Sequence, residues 1–172
     1  MQRLWTPWRM EYILSEKQPG CIFCAALAQH NDRETYIVYR SARAFAMLNT
    51  YPYNNGHLMV VPYEHSADLN ALDAETQADL MRLIGRTIEW LRAASKPEGF
   101  NVGMNLGKAG GAGVVDHLHF HVVPRWLGDT NYMTIVGETR VIIARCLKVC
   151  ICRGCNGFWQ SINARLANFL AV

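Results

Sequence analysis

Asp116-His-Leu-His-Phe-His-Val-Val-Pro-Arg-Trp126 is the stretch that decides how this 172-residue chain is read. Side chains alternate across a strand, so a strand here carries His117, His119 and His121 on one face and Leu118, Phe120 and Val122 on the other. Same-face neighbours then sit roughly 7 Å apart. Strand stability does not call for three imidazoles in a row, so the pattern points to a polar group that is gripped or attacked. Two chemistries fit: two imidazoles hold a catalytic metal, or one imidazole is a nucleophile whose neighbours orient it and handle protons.

The residues just before this run favour the second chemistry. Gly107-Lys-Ala-Gly-Gly-Ala-Gly113 places four glycines in seven residues. Such a loop exposes backbone N–H groups and lets a bulky anion approach closely. A nucleophile beside donors that stabilise charge on phosphoryl oxygens is what phosphoryl transfer requires.

Working outward, Thr35–Arg40, Ala44–Leu48 and His57–Val61 read as strands, the last entered through Pro52 and the turn Asn54-Asn-Gly56 and stopped by Pro62. Between Asp73 and Ser95, Leu80, Leu83, Ile84, Thr87, Ile88 and Leu91 form one helical stripe, with Asp73 as cap and Pro97 and Gly99 beyond the end. Phe100–Leu106 and His117–Pro124 complete five strands, and Gly20–Cys24 leads into a short helical stretch through Ala28. This order predicts the α+β class: an antiparallel five-stranded sheet with one long helix on a face. Residues 1–143, including a Trp- and Tyr-rich N-terminal arm, form one domain. Residues 144–172 are expected to be a divergent Cys-rich tail of the same domain, with an amphipathic helical pattern over Phe158–Val172.

Composition narrows the function classes. The chain is 51% hydrophobic and 18% charged, with a formal charge of +3, too small to argue for DNA, RNA or membrane binding. No run approaches the ~20 apolar residues of a membrane span, and the polar N-terminus does not read as a signal peptide. The expected location is the cytoplasm, where the six cysteines are thiols or metal ligands rather than disulfides. Cys21-Ile-Phe-Cys24 is half a zinc site, or else a structural or redox pair.

Gly56-His-Leu-Met-Val-Val-Pro62, the glycine loop and His117-Leu-His-Phe-His-Val-Val-Pro-Arg-Trp126 together resemble the histidine-triad (HIT) nucleotide-binding family. Its signature is three histidines alternating with apolar residues. Leu4-Trp-Thr-Pro-Trp-Arg-Met-Glu-Tyr-Ile13, Cys21-Ile-Phe-Cys24 and Pro124-Arg-Trp-Leu-Gly-Asp-Thr-Asn-Tyr-Met133 resemble its bacterial diadenosine-polyphosphate branch, close to the fragile-histidine-triad hydrolases. The resemblance covers about residues 3–143 and leaves the tail outside.

The resemblance implies a HIT-like fold, a homodimer and a diadenosine tri- or tetraphosphate hydrolase or phosphorylase. The reaction would run through a covalent nucleotidyl-histidine. His119 matches the nucleophile and His121 the leaving-group contact. His57 matches a fourth histidine beside the nucleophile, and Asn49 the ribose contact. Asn105 matches a phosphate-side position, and Lys108, Gly111, Gly113 and His117 are the further substrate-binding candidates. Cys21, Cys24, His65 and His117 match a closed structural Zn²⁺ set, and Mg²⁺ would arrive on the substrate phosphates. The chain departs from related branches at Gly113-Val-Val115, where they place Gln or Ser donors. A nucleoside phosphoramidase, a non-catalytic purine-nucleotide binder and a metallo-hydrolase built on the His-x-His pair are the rival readings. Cys146, Cys150, Cys152 and Cys155 are spaced too irregularly to read as a zinc cluster, and Trp5, Trp8 and Trp126 read as base-stacking or packing residues.

Overall fold

A computed structural model describes residues 20–127 and 129. The N-terminal arm and the Cys-rich tail, with Trp5, Trp8 and Cys146 to Cys155, lie outside the described residues. Strand β1 is Ile37–Arg40, β2 Ala44–Leu48, β3 Leu58–Pro62, β4 Gly99–Met104 and β5 Phe120–Arg125. Helix α1 is Ile22–Ala28 and α2 is Ala74–Ser95.

Strands β2 and β3 are apolar at every position, and every position is buried. A strand of this kind must be covered on both faces, so the two lie inside the sheet, whose order is β1-β2-β3-β5-β4 with antiparallel pairing throughout. Ala44, Ala46, Leu48, Leu58 and Val60 meet the stripe Leu80, Leu83, Ile84 and Leu91 of α2. On the opposite face Phe45, Met47, Met59 and Val61 meet Phe23 and Ala26 of α1. Each fully buried Leu or Phe stabilises the fold by about 1.5–3 kcal/mol relative to exposure.

The punctuation expected from the sequence is present. Asp73 Oδ1 accepts the Thr76 N–H at 2.6 Å and caps α2. The helix stops at Lys96, which adopts left-handed φ 49° before Pro97. Gly56 turns into β3 with φ +74°, and a Cβ there would lie 3.1 Å from Leu91 Cδ2. The α+β expectation with five antiparallel strands and one long helix is therefore met.

The limits of β1, β3 and β4 differ from expectation by one or two residues, and the start of β5 by three. The strand expected over His117–Pro124 begins at Phe120, and the ladder of β3 with β5 runs only through Leu58↔Val122, Met59↔His121 and Val60↔Phe120. Continuing it would set Leu118 opposite Pro62, which has no N–H to offer. Instead the Leu118 N–H donates to the Ser66 carbonyl at 2.7 Å, and the His117–His119 segment leaves the sheet. No helix among the described residues is long and apolar enough to cross a membrane.

Candidate active site and metal centre

The face of the sheet that carries α1 also carries the imidazoles. Met59 pairs with His121, so the two side chains share that face, and His57, two residues before Met59, lies one diagonal step from His121. His119 and His121 stand edge to face with ring centroids 4.9 Å apart, closer than a regular same-face spacing because His119 lies beyond the strand. Both line a cavity of about 870 Å³ between α1, the Asn49–Tyr53 turn and the glycine loop.

Hydrogen bonds assign different roles to the rings. His119 Nδ1 lies 2.9 Å from the His117 carbonyl, which can only accept. Nδ1 therefore carries the proton, and Nε2 keeps its lone pair. Burial holds His119 below the ordinary imidazole pKa, which keeps this nucleophilic form neutral. The Tyr53 N–H donates to His57 Nδ1 at 3.1 Å, and His57 Nε2 lies 2.9 Å from His121 Nδ1. Neutral His57 thus carries its hydrogen on Nε2 and donates it to His121 Nδ1, which places the hydrogen of His121 on Nε2. One ring is set as a lone-pair donor and its neighbour as a hydrogen-bond donor. His57, expected beside the nucleophile, makes its ring hydrogen bond to His121.

His117 belongs to a second cluster. It is fully buried and outside the cavity lining. One ligand atom each of Cys21, Cys24, His65 and His117 lies within 4.8 Å of the others. Cys21 Sγ is 3.2 Å and Cys24 Sγ 3.7 Å from His117 Nδ1, and Cys24 Sγ is 3.3 Å from His65 Nδ1. Tetrahedral bonds to zinc of usual length would put such sulfur and nitrogen atoms about 3.5 Å apart. The His117 Nε2–H donates to the Pro62 carbonyl at 3.0 Å, which leaves Nδ1 as the ligating lone pair. Burial and then the neighbouring Cys21 push the Cys24 thiol up, a cost that a divalent cation between the sulfurs would reverse. Distances, tautomer and donor chemistry all fit a closed Cys₂His₂ zinc site. When bound, such a metal supplies structural cross-linking with no open coordination position.

The remaining expected residues surround the cavity. The Asn49 N–H donates to the His57 carbonyl at 2.9 Å, and Asn49 Oδ1 accepts from the Tyr51 N–H at 2.8 Å. Asn105 Nδ2 donates to the Gly111 carbonyl at 3.2 Å and braces the glycine loop. Within that loop the N–H groups of Gly111 and Ala112 bond back to the carbonyls of Lys108 and Gly107. Lys108, Gly111 and Gly113 all line the cavity, as do Val114 and Val115. Trp126 lies outside the lining, and its indole N–H donates to the Ser95 carbonyl at the end of α2.

Two residues escaped the sequence reading. Phe23 packs against the rings of His117 and His119 at 5.3 and 5.0 Å and so joins the two clusters. Its signal was its position inside Cys-x-x-Cys, on the inward side of a helical turn. Tyr53 stacks on His57 at 5.1 Å and fixes its tautomer through the backbone, which residue identity does not advertise.

Comparison with known proteins places these features in context. The HIT domain family profile matches residues 30–126. The chain is 43% identical to the AP-4-A phosphorylase of Mycobacterium tuberculosis over 150 residues, 83% of this chain and 77% of that protein. It is 33% identical over 106 residues to an adenosine 5′-monophosphoramidase of Schizosaccharomyces pombe, covering 62% of this chain and 74% of that one. A zinc-bound histidine triad family protein from Mycobacterium smegmatis superposes with a TM-score of 0.63 at 25% identity, over 88% of this chain and 96% of its own.

Proposed function

The chain belongs to the HIT domain family, and we propose that it cleaves dinucleoside polyphosphates such as diadenosine tri- or tetraphosphate through a nucleotidyl-histidine. The observation that carries the proposal is the pair of opposite tautomers at the cavity wall. His119 Nε2 attacks the α-phosphorus, the bond to the bridging oxygen breaks, and its electrons leave with the departing phosphate chain. The His121 Nε2–H donates a hydrogen bond to that oxygen as charge develops on it. A phosphate chain leaves as an anion, so this bond needs no complete proton transfer. Water or phosphate then attacks phosphorus from the vacated side, the P–Nε2 bond breaks and its electron pair returns to His119, and an attacking water gives up one proton to solvent.

The other residues position these two. The His117 carbonyl fixes His119, and His57 fixes His121. Asn49 takes the ribose hydroxyls, while Asn105, Lys108, Gly111 and Gly113 face the phosphates. Cys21, Cys24, His65 and His117 hold structural zinc, and Mg²⁺ enters with the substrate. Cys21 and Cys24 are not joined as a disulfide, which suits a reducing compartment such as the cytoplasm. A homodimer pairing through the edge strand β4 is supported by Val102, 44% exposed there.

Product analysis tests the reading. Zinc-replete protein given diadenosine tetraphosphate should yield ATP with AMP in phosphate-free buffer, and ATP with ADP when phosphate is added. Turnover confined to an adenosine phosphoramidate would favour the phosphoramidase reading, supported by the relative in S. pombe. No turnover of any nucleotide would leave a binding protein.

A further inference from the structure

The nucleotidyl-histidine reading leaves open what selects the second acceptor. Water needs no binding site, being present at overwhelming concentration, whereas an acceptor phosphate must be held beside the intermediate to compete. In-line displacement at phosphorus places the acceptor where the leaving oxygen stood. The groups that meet the departing phosphates are therefore the groups that meet the incoming one.

Charge around the cavity is sparse. Lys108 is the one Lys or Arg among the described residues that line it, and the acidic residues Glu34 and Asp116 share that lining. The glycine loop is a poorer cradle than its composition suggests, since the Gly111 and Ala112 N–H groups bond within the loop. Those bonds, with the Asn105 brace, fix the shape of the turn that bears Lys108.

Resting on the nucleotidyl-histidine reading, we propose that Lys108 is the specificity residue that binds inorganic phosphate as acceptor and so sets the balance between phosphorolysis and hydrolysis. A deprotonated oxygen of hydrogen phosphate attacks the nucleotidyl phosphorus. The P–Nε2 bond breaks, its electron pair returns to His119, and the acceptor's own proton stays on what becomes the terminal phosphate of the nucleoside diphosphate. Lys108 takes no proton in this step. It raises the occupancy of phosphate over water.

The test follows the ratio of ADP to AMP as inorganic phosphate is raised, in wild type, Lys108→Met and Lys108→Arg. The donor is the p-nitrophenyl ester of AMP, which forms the same intermediate without a departing phosphate chain and so bypasses any weakening of polyphosphate binding. Lys108→Met should raise the phosphate concentration that gives equal products by about two- to fivefold, the worth of one solvent-accessible charge pair. Lys108→Arg should restore most of it. An unchanged ratio in Lys108→Met overturns the assignment, as does wild-type turnover that yields no ADP at any phosphate concentration. Absence of turnover in the wild type removes the underlying reading together with this one.

Discussion

Replacing His57 by Phe isolates the tautomer relay from the nucleophile. Phe keeps a ring of similar volume stacked on Tyr53 and removes both ring nitrogens, one of which donates to His121 Nδ1 at 2.9 Å. His57 is 1% exposed, so water is a poor substitute for that donor. Losing one partner of a buried hydrogen bond costs about 1–3 kcal/mol. If that cost falls on holding the His121 hydrogen at Nε2, the rate of adduct formation from diadenosine tetraphosphate drops about 5- to 150-fold. Rapid-quench measurement of the first turnover reads this step directly. The p-nitrophenyl ester of AMP should lose far less, because its leaving phenolate spreads charge into the ring and depends little on a hydrogen-bond donor. His57→Gln, whose amide can donate toward His121, should recover part of the loss. Equal losses on both substrates, with thermal melting unchanged, would refute a relay acting through the leaving group.

Three further outcomes follow from the fold and the metal centre. Metal analysis should find one zinc per chain, lost in Cys21→Ser and retained in Cys155→Ser; zinc kept in Cys21→Ser refutes the ligand set. Asp79 is buried and accepts from Ser41 Oγ and the Arg43 N–H, so Asp79→Ala should lower the unfolding free energy in urea by about 1–3 kcal/mol. The Thr76 hydrogen bonds hold the Asp73 carboxyl below its ordinary pKa of 3.8. Its contribution to stability is therefore present above that ordinary value and fades as pH falls through the lowered one. Chemical denaturation of Asp73→Ala across acid pH should show a deficit that closes in that window.

Much of this was legible because apolar periodicity and turn chemistry agreed. The Leu80–Leu91 stripe, the Asp73 cap and the Gly56 turn all fell where the spacing put them. The start of β5 was not legible, since the His-Leu-His-Phe-His alternation continues through His117 while the ladder ends where Pro62 has no N–H to share. The pairing of His57 with His121 spans 64 positions and depends on the register Met59↔His121, which periodicity within one strand cannot supply. Local spacing showed Cys21 and Cys24 as half a site; His65 and His117 were named by the family resemblance, and the fold brings all four together.

The central claim is that His119 alone becomes covalently nucleotidylated, and intact-protein mass spectrometry with peptide mapping tests it most directly. Protein quenched during turnover of diadenosine tetraphosphate should carry one AMP moiety on His119, and His119→Ala should carry none. Steady turnover with no adduct, or an adduct on His117 or His121, would contradict the account.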